Sequence, residues 1–316
     1  CSPCAMGKYQ PKTNQPSCKD DCVAGSSINN DKDACTQCVN QYQDQANQTG
    51  CKDCPIGFSM NNDKTTCTGC AAGQYQDQPN QVGCKDTCTA GYSINDAKTN
   101  CTQCDTGQYQ DQTNGEQNCQ KCAIGQWSSE LGRISQCTDN CSQGKWSEEE
   151  GLSYDSQCQN CSKGKWSTAT GITSDVDCNG ACSAGKWSDA TGITSDKQCT
   201  NCGAGKWSDK ESLTTDSECK QCSAGKWSDV AGLSSNSQCK NCSAGKWSTI
   251  SGLKLGSQCS GCEDNQCGNC SAGKWSSLTG ITSDDACNGN CSAGKWSTAT
   301  GIASDDQCTS NCSAGK

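Results

Sequence analysis

The sequence predicts an elongated, solenoid-like rod of small disulfide-rich repeats, made of short β-hairpins and turns with little or no helix. Three observations predict it. Cysteine accounts for 36 of 316 residues, whereas Leu, Ile, Val and Phe together number only 23, too few for ordinary domain cores in a chain of this length. Every cysteine falls into one of 18 close pairs spaced C-x-x-C or C-x-x-x-C, the self-similarity of a repeat array. No segment sustains helical periodicity, and Gly, Ser, Thr, Asn and Asp punctuate every loop, as turns and short strands require.

Taken along the chain, residues 1–118 form short-loop repeats in which the second cysteine of one pair precedes the first of the next by 13 to 15 positions. Two loop types alternate there, GKYQ, QYQDQ and GQYQDQ around Tyr9, Tyr42, Tyr75 and Tyr109, against GSSINNDK, GFSMNNDK and GYSINDAK around Ser26, Phe58 and Tyr92. Residues 119–262 carry long loops, which read almost identically (CSAGKWSDATGITSDKQC from Cys182, CSAGKWSDVAGLSSNSQC from Cys222), with a separation of 17 from Cys141 onward. Residues 263–270 are a truncated link, since Cys262 and Cys267 are only 5 apart and the Gly-Lys-Trp motif is missing between them. This link reads as a deletion scar or as a kink and phase shift. Long loops resume over 271–316 and continue past the visible end, so the chain is expected to be part of something longer.

Fifteen of the 16 aromatic residues occupy one slot, four or five positions after the second cysteine of a pair. In the long loops this slot is Trp followed by Ser, at Trp127, Trp146, Trp166, Trp187, Trp207, Trp227, Trp247, Trp275 and Trp296. An aliphatic residue sits six positions later from Trp146 onward, from Leu152 to Ile302. One Trp, one aliphatic residue and one disulfide make a minimal core, which a single repeat cannot enclose and must share with its neighbour. A-G-K-W-S is expected to be a strand and G-I-T-S-D its turn and return, with Lys186 facing solvent where Trp187 faces the next repeat.

The cysteines admit two pairings. In a ladder, the second cysteine of each pair closes a loop with the first of the next: Cys4 with Cys18, Cys22 with Cys35, Cys38 with Cys51, Cys54 with Cys67, Cys70 with Cys84, Cys88 with Cys101, Cys104 with Cys119, Cys122 with Cys137, Cys141 with Cys158, Cys161 with Cys178, Cys182 with Cys199, Cys202 with Cys219, Cys222 with Cys239, Cys242 with Cys259, Cys262 with Cys267, Cys270 with Cys287 and Cys291 with Cys308. Cys1 and Cys312 are then left for partners beyond the ends or in a neighbouring chain. Interlocked pairing, first with third and second with fourth, would group the uniform long loops in twos. Equal spacing favours the ladder, although spacing does not dictate connectivity.

Metal is the rival use of these sulfurs, because C-x2-C-x16-C-x2-C matches the spacing of a four-cysteine zinc site. Against it stand the absence of histidine, the many C-x-x-x-C pairs, and eight Asn-x-Ser/Thr sequons at Asn47, Asn100, Asn140, Asn160, Asn241, Asn269, Asn290 and Asn311, which are candidate glycosylation sites of a secreted chain. No metal and no cofactor is expected.

The segment C-S-A-G-K-W-S…C-x-x-C resembles the ephrin-receptor-like and tumour-necrosis-factor-receptor-like cysteine-rich repeats, whose shared core is C-x-x-G-x-[Tyr/Trp]…C-x-x-C. The likeness covers essentially the whole chain, and such arrays look like those of large surface proteins from algae and other protists. It implies one disulfide per loop, Cys182 with Cys199 and its equivalents, in agreement with the ladder. Receptor modules vary their loops for ligand contact, and the uniformity here departs from that.

Without histidine the common nucleophile and general-base pairings are missing, and 18 copies of a C-x-x-C-like pair without a βαβ pattern read as structural rather than as redox centres. The chain is expected not to be an enzyme. A net charge of −9 with evenly spread lysines excludes a basic patch for nucleic acid or anionic lipid, and no apolar run reaches the length of a membrane span. A recurrent acid three positions before the closing cysteine (Asp155, Asp175, Asp196, Asp216, Asp284, Asp305) faces the Lys of each G-K-W motif. It reads as a turn residue, with a weak Lys–Asp ladder or calcium as lesser uses. Ser after each Trp completes a strand edge or carries O-linked glycan. The expected function is that of an extracellular, glycosylated structural protein, whose partners are copies of itself or other filament subunits, in a filament, appendage or surface coat. The alternative is a ligand- or carbohydrate-binding surface protein, in which the tryptophans stack on sugars.

Overall fold

The computed structural model describes residues 3–12, 15–113, 118–262 and 265–311. Cys1 and Cys312 lie outside the described residues. As predicted, the fold consists of small disulfide-rich repeats of two-stranded antiparallel hairpins, and helix among the described residues is confined to single 3-10 turns. By contacts the chain groups into two compact units, Cys1–Asn140 with Glu149–Gln157, and Cys141–Glu148 with Cys158–Lys316. The change of loop type near residue 118 lies inside the first of them.

The ladder of 17 disulfides runs from Cys4–Cys18 to Cys291–Cys308, each joining the second cysteine of one pair to the first of the next, with Cα atoms 5.3 to 6.0 Å apart. Closing a loop of 17 residues removes unfolded-state entropy worth about 3 kcal/mol. This local cross-linking stands where the chain has too little aliphatic side chain to pack.

In the second unit each bridge also sets the hairpin. Drawing Cys199 to Cys182 brings the residues after it back along the strand before it, so that Lys186–Trp187 pairs with Thr200–Asn201. The return strand is therefore the short segment between two cysteines, not G-I-T-S-D as the sequence suggested. That segment serves two other purposes. Its Ile193 forms a parallel bridge to Trp166 of the preceding repeat. Its end, Asp196–Gln198, makes a 3-10 turn closed by a capping box in which the Gln198 carboxamide oxygen accepts from the Thr194 and Ser195 backbone N–H groups at 2.7 and 3.1 Å. The S-x-x-Q spelling of this cap is legible in the sequence.

The repeats are stitched by backbone as well as by side chains. Ser188 N–H donates to the Leu213 carbonyl of the next repeat at 2.9 Å, and Ser212 N–H of that repeat donates back to the Cys182 carbonyl at 2.9 Å. The same two bonds recur as Ser208 to Leu233 and Gly232 to Cys202, and as Ser228 to Leu253 and Gly252 to Cys222, all 2.8 to 2.9 Å. The first unit adds a side-chain stitch of its own. There Lys64 and Lys98, held with positive φ in Asn-capped turns, donate their ammonium groups to the Cys38 and Cys70 carbonyls at 2.7 and 2.6 Å.

Candidate functional site

The inter-repeat seam gathers the cysteine, tryptophan and aliphatic residues that the sequence singles out. Its hydrophobic content in the second unit is one disulfide, one aliphatic residue, and the Trp of the preceding repeat: Cys182, Ile193 and Cys199 with Trp166; Cys202, Leu213 and Cys219 with Trp187; Cys222, Leu233 and Cys239 with Trp207; Cys242, Leu253 and Cys259 with Trp227; Cys270, Ile281 and Cys287 with Trp247. Trp275 and Ile302 form the same parallel bridge, as do Trp146 and Ile172, and in the first unit Trp127 and Leu152. A repeat thus builds its core with a ring it does not own. In the Cys122–Cys137 loop, Arg133 takes the aliphatic position, bridging Tyr109, and its guanidinium bonds the Ser135 and Gln136 carbonyls and Glu130.

The tryptophan rings are only half-buried, and most are engaged at the indole N–H or the ring face, although the indole N–H groups of Trp187 and Trp247 are buried without a partner. The indole N–H of Trp166 donates to the Ala181 carbonyl at 2.9 Å and that of Trp207 to Gln221 at 3.1 Å. Lys220 and Lys240 lie over the Trp207 and Trp227 rings at 4.7 and 4.6 Å, the distance of a cation–π contact. Opposite Trp166 and Trp275 the hairpin partner is Gly180 or Gly289, where any Cβ would overlap the indole. Trp296 is the exception, at 46% exposed.

Ser after Trp is neither a strand edge in solvent nor an O-glycan acceptor. Ser167, Ser188, Ser208 and Ser228 are all but inaccessible, and each Oγ accepts the backbone N–H two residues on, at 3.0 to 3.2 Å. In the short-loop repeats Gln does the same work after Tyr. Gln43 and Gln76 are buried, accept from Gln45 and Gln78 N–H, and donate to the Gly50 and Gly83 carbonyls at 2.7 and 2.8 Å. These polar anchors were visible as the unvarying Y-Q and W-S dipeptides. What hid them is that Ser and Gln ordinarily sit at the surface.

Lysine and aspartate do form a ladder. Lys165, Lys186 and Lys274 reach Asp175, Asp196 and Asp284 at 2.8, 2.5 and 3.0 Å, Lys206 pairs with Asp216, and Lys295 with Asp305 at 3.5 Å. Lys186 is therefore half-buried and paired rather than solvated. Each of these carboxylates also receives a backbone N–H thirteen residues upstream, as Asp196 does from Ser183 at 2.8 Å. Partial burial pushes the Asp175, Asp196 and Asp284 carboxyls up, but the lysine and serine donors together outweigh it and hold all three below the usual range. For Asp216 the Lys206 hydrogen bond is the largest cause, and for Asp305 the Ser292 side chain.

A depressed carboxyl pKa contributes stability above the unfolded-state value of about 3.9. That stability is lost as pH falls through the lower folded values. The urea midpoint is accordingly expected to be flat from about pH 7 to 5 and to fall below about pH 4, whereas Lys186→Met, in which Asp196 loses its ammonium partner, starts from a lower midpoint at neutral pH and shows a smaller acid-induced fall. Each exposed pair contributes only about 0.2–1 kcal/mol, so the effect is cumulative along the array.

The sequons divide by geometry. Asn160, Asn241 and Asn269 donate their amide N–H groups to Thr191, Thr279 and Thr300 at 3.3, 3.1 and 3.5 Å, and lie against the adjoining Gly192, Gly280 and Gly301. A glycan there would displace an inter-repeat contact. Asn47 has positive φ and caps the Cys22 N–H at 3.0 Å. Asn100 is exposed, and its side-chain oxygen accepts from the following Cys101 N–H at 2.9 Å. Asn140, Asn290 and Asn311 are also exposed.

The sulfurs that a zinc site would use are committed to the ladder, and among the described residues no group of three or more Cys, Asp or Glu side chains could hold a metal ion. No helix among them is long and apolar enough to cross a membrane. No known protein family and no curated protein matches the chain. What the chain is rests on its own architecture: a cysteine-rich tandem repeat protein held by disulfides. A bridge density of this order persists in oxidising surroundings, which makes it an extracellular or secreted protein.

Proposed function

We propose that the protein is a structural element of an extracellular filament, appendage or surface coat, assembled from copies of itself or with other filament subunits and carrying glycan at its accessible sequons. The observation that carries this reading is where the side chains are spent. Trp, the aliphatic residue, the backbone N–H after the aromatic residue and most positive-φ glycines join one repeat to another, while the side chains of Ser or Gln, Lys and Asp brace their own loop. What remains on the outside is mostly polar, with apolar residues such as Val39, Val176 and Leu278 exposed singly. The likeness to receptor-type cysteine-rich repeats is consistent with an extracellular place, and in our reading it extends to the module rather than to ligand recognition. A carbohydrate-binding role through the tryptophans finds less support, since most of the rings are packed, hydrogen-bonded or covered by lysine.

Electron microscopy of the native material tests the proposal. Regular fibres or a lattice, with an axial repeat that changes when repeats are deleted, are expected. Monodisperse protein that binds an immobilised glycan or protein ligand and never polymerises would overturn it.

A further inference from the structure

The truncated link does not shift the phase of the array. In every other hairpin of the second unit the returning strand follows the closing cysteine directly, as Lys240–Asn241 follows Cys239, or after one residue, as Gly180–Ala181 follows Cys178. After Cys259 it does not. The strand Lys246–Ser248 passes over Ser260 to Gln266 and pairs with Cys267–Asn269 instead. Trp247 bridges Ile281 of the Cys270–Cys287 repeat, and a Cβ on Gly245 would meet the Gly301 carbonyl just as one on Gly205 would meet that of Gly252. The stack therefore counts Cys242–Cys259 and Cys270–Cys287 as immediate neighbours. Cys262–Cys267 is an extra disulfide outside the register.

Its surroundings differ accordingly. The loop-opening cysteines of the other long repeats from Cys141 to Cys270 are fully buried at 0%, beneath a Trp from the preceding repeat in every case from Cys182 onward. Cys262 is half-exposed, and no tryptophan or aliphatic residue lies between it and Cys267. Cys267 is buried and held in a strand. Opening this bridge releases a loop with a sequence separation of 5 rather than 17, so far less unfolded-chain entropy opposes its re-closure or depends on it. Glu263 and Asp264 lie outside the described residues.

We propose that Cys262–Cys267 is a thiol-exchange site, through which the chain is joined covalently to a thiol-bearing molecule without disturbing the repeat stack. A thiolate attacks the accessible Cys262 sulfur. A new S–S bond forms there, the Cys262–Cys267 bond breaks, and the electron pair leaves on Cys267 sulfur, which takes a proton from water. One disulfide replaces another, so no external oxidant is consumed. Other bridge sulfurs, such as those of Cys18 and Cys291, are half-exposed too; what singles out Cys262–Cys267 is access combined with a short loop outside the stack that no Trp or aliphatic residue covers. The thiol can be a small molecule of the glutathione class or a cysteine of another chain. This inference does not depend on the filament reading.

The full chain, incubated under native conditions with reduced glutathione or with a cysteine-containing peptide, is quenched by alkylation, digested and mapped by mass spectrometry. The adduct is expected on Cys262, with alkylation of Cys267, at least about tenfold faster than at any other cysteine, while the near-ultraviolet tryptophan signal stays unchanged. Labelling by glutathione alone confines the site to small thiols, and labelling by the peptide as well admits a second chain. The Cys262→Ser/Cys267→Ser double variant is expected to keep the native spectrum and lose the rapid adduct. Labelling spread evenly over the cysteines, labelling only after the tryptophan signal collapses, or a double variant that fails to fold would each overturn the proposal.

Discussion

Exhaustive reduction at neutral pH is expected to convert the whole array to an unfolded chain, with loss of the near-ultraviolet tryptophan signal and of all protected amides. The reason lies in how little else holds it. The seam of each repeat in the second unit buries one aliphatic residue and part of one ring, and burying one Leu or Ile is worth about 1.5–3 kcal/mol. Ordering a residue costs about 1–2 kcal/mol in backbone entropy, and a repeat here spans some twenty residues. The disulfide, worth about 3 kcal/mol for a 17-residue loop, is of the same size as the packing term and is positioned inside it, since its sulfurs are what the aliphatic residue and the borrowed Trp touch. Cutting it removes entropy and core together. Expanded dimensions in small-angle scattering after reduction and alkylation would match this account. A reduced, fully alkylated chain that kept its amide protection would show that the hydrogen-bonded seam suffices alone.

Gly185→Ala is the point substitution with the largest expected effect. Gly185 has φ +82°, a region that costs an L-residue about 1–2 kcal/mol. Its close approach is a separate burden: a Cβ there would stand 2.5 Å from the Gly232 carbonyl oxygen and 2.8 Å from that of Leu233, in the repeat after next. Backbone cannot swing aside as a flexible side chain can, so the two repeats must separate. A loss of about 2–4 kcal/mol is expected, read as a lower urea midpoint and as faster amide exchange around Leu233. Gly83→Ala provides the control, because Gly83 has φ +76° but no described atom within 4 Å of a Cβ placed there. It should show the conformational cost alone, about 1 kcal/mol. Equal losses in the two variants would mean that the contact between alternate repeats contributes nothing.

Much of this architecture is legible in single residues. The ladder follows from a separation of 17 repeated in eight loops of nine, because a uniform local bridge is the pairing that treats every loop alike. The shared core was visible in the constant offset between Trp and aliphatic residue, as between Trp187 and Ile193. The handing of each Trp to the next repeat was expected too, and the structure gives the partner: Ile193 packs under Trp166, one repeat earlier, and Trp187 passes on to Leu213. The offset of six within one loop does not by itself name that partner. The return strand, by contrast, was misread. G-I-T-S-D has the composition of a turn, whereas Thr200–Asn201, two polar residues between cysteines, carries no strand propensity at all; the disulfide puts it in place.

By itself the sequence determined the repeat, its dependence on disulfides, the aromatic slot, and the absence of any larger core. These are local properties, set by composition and by separations along the chain. The tertiary structure alone decided how the loops come to lie against one another: the return strand between two cysteines, glycine on the backbone two repeats away, and Cys262–Cys267 set outside the register. Those depend on the path each hairpin takes after its bridge closes, through backbone hydrogen bonds such as Ser188 to Leu213. Such bonds use atoms common to every residue, and therefore leave no mark in the order of side chains.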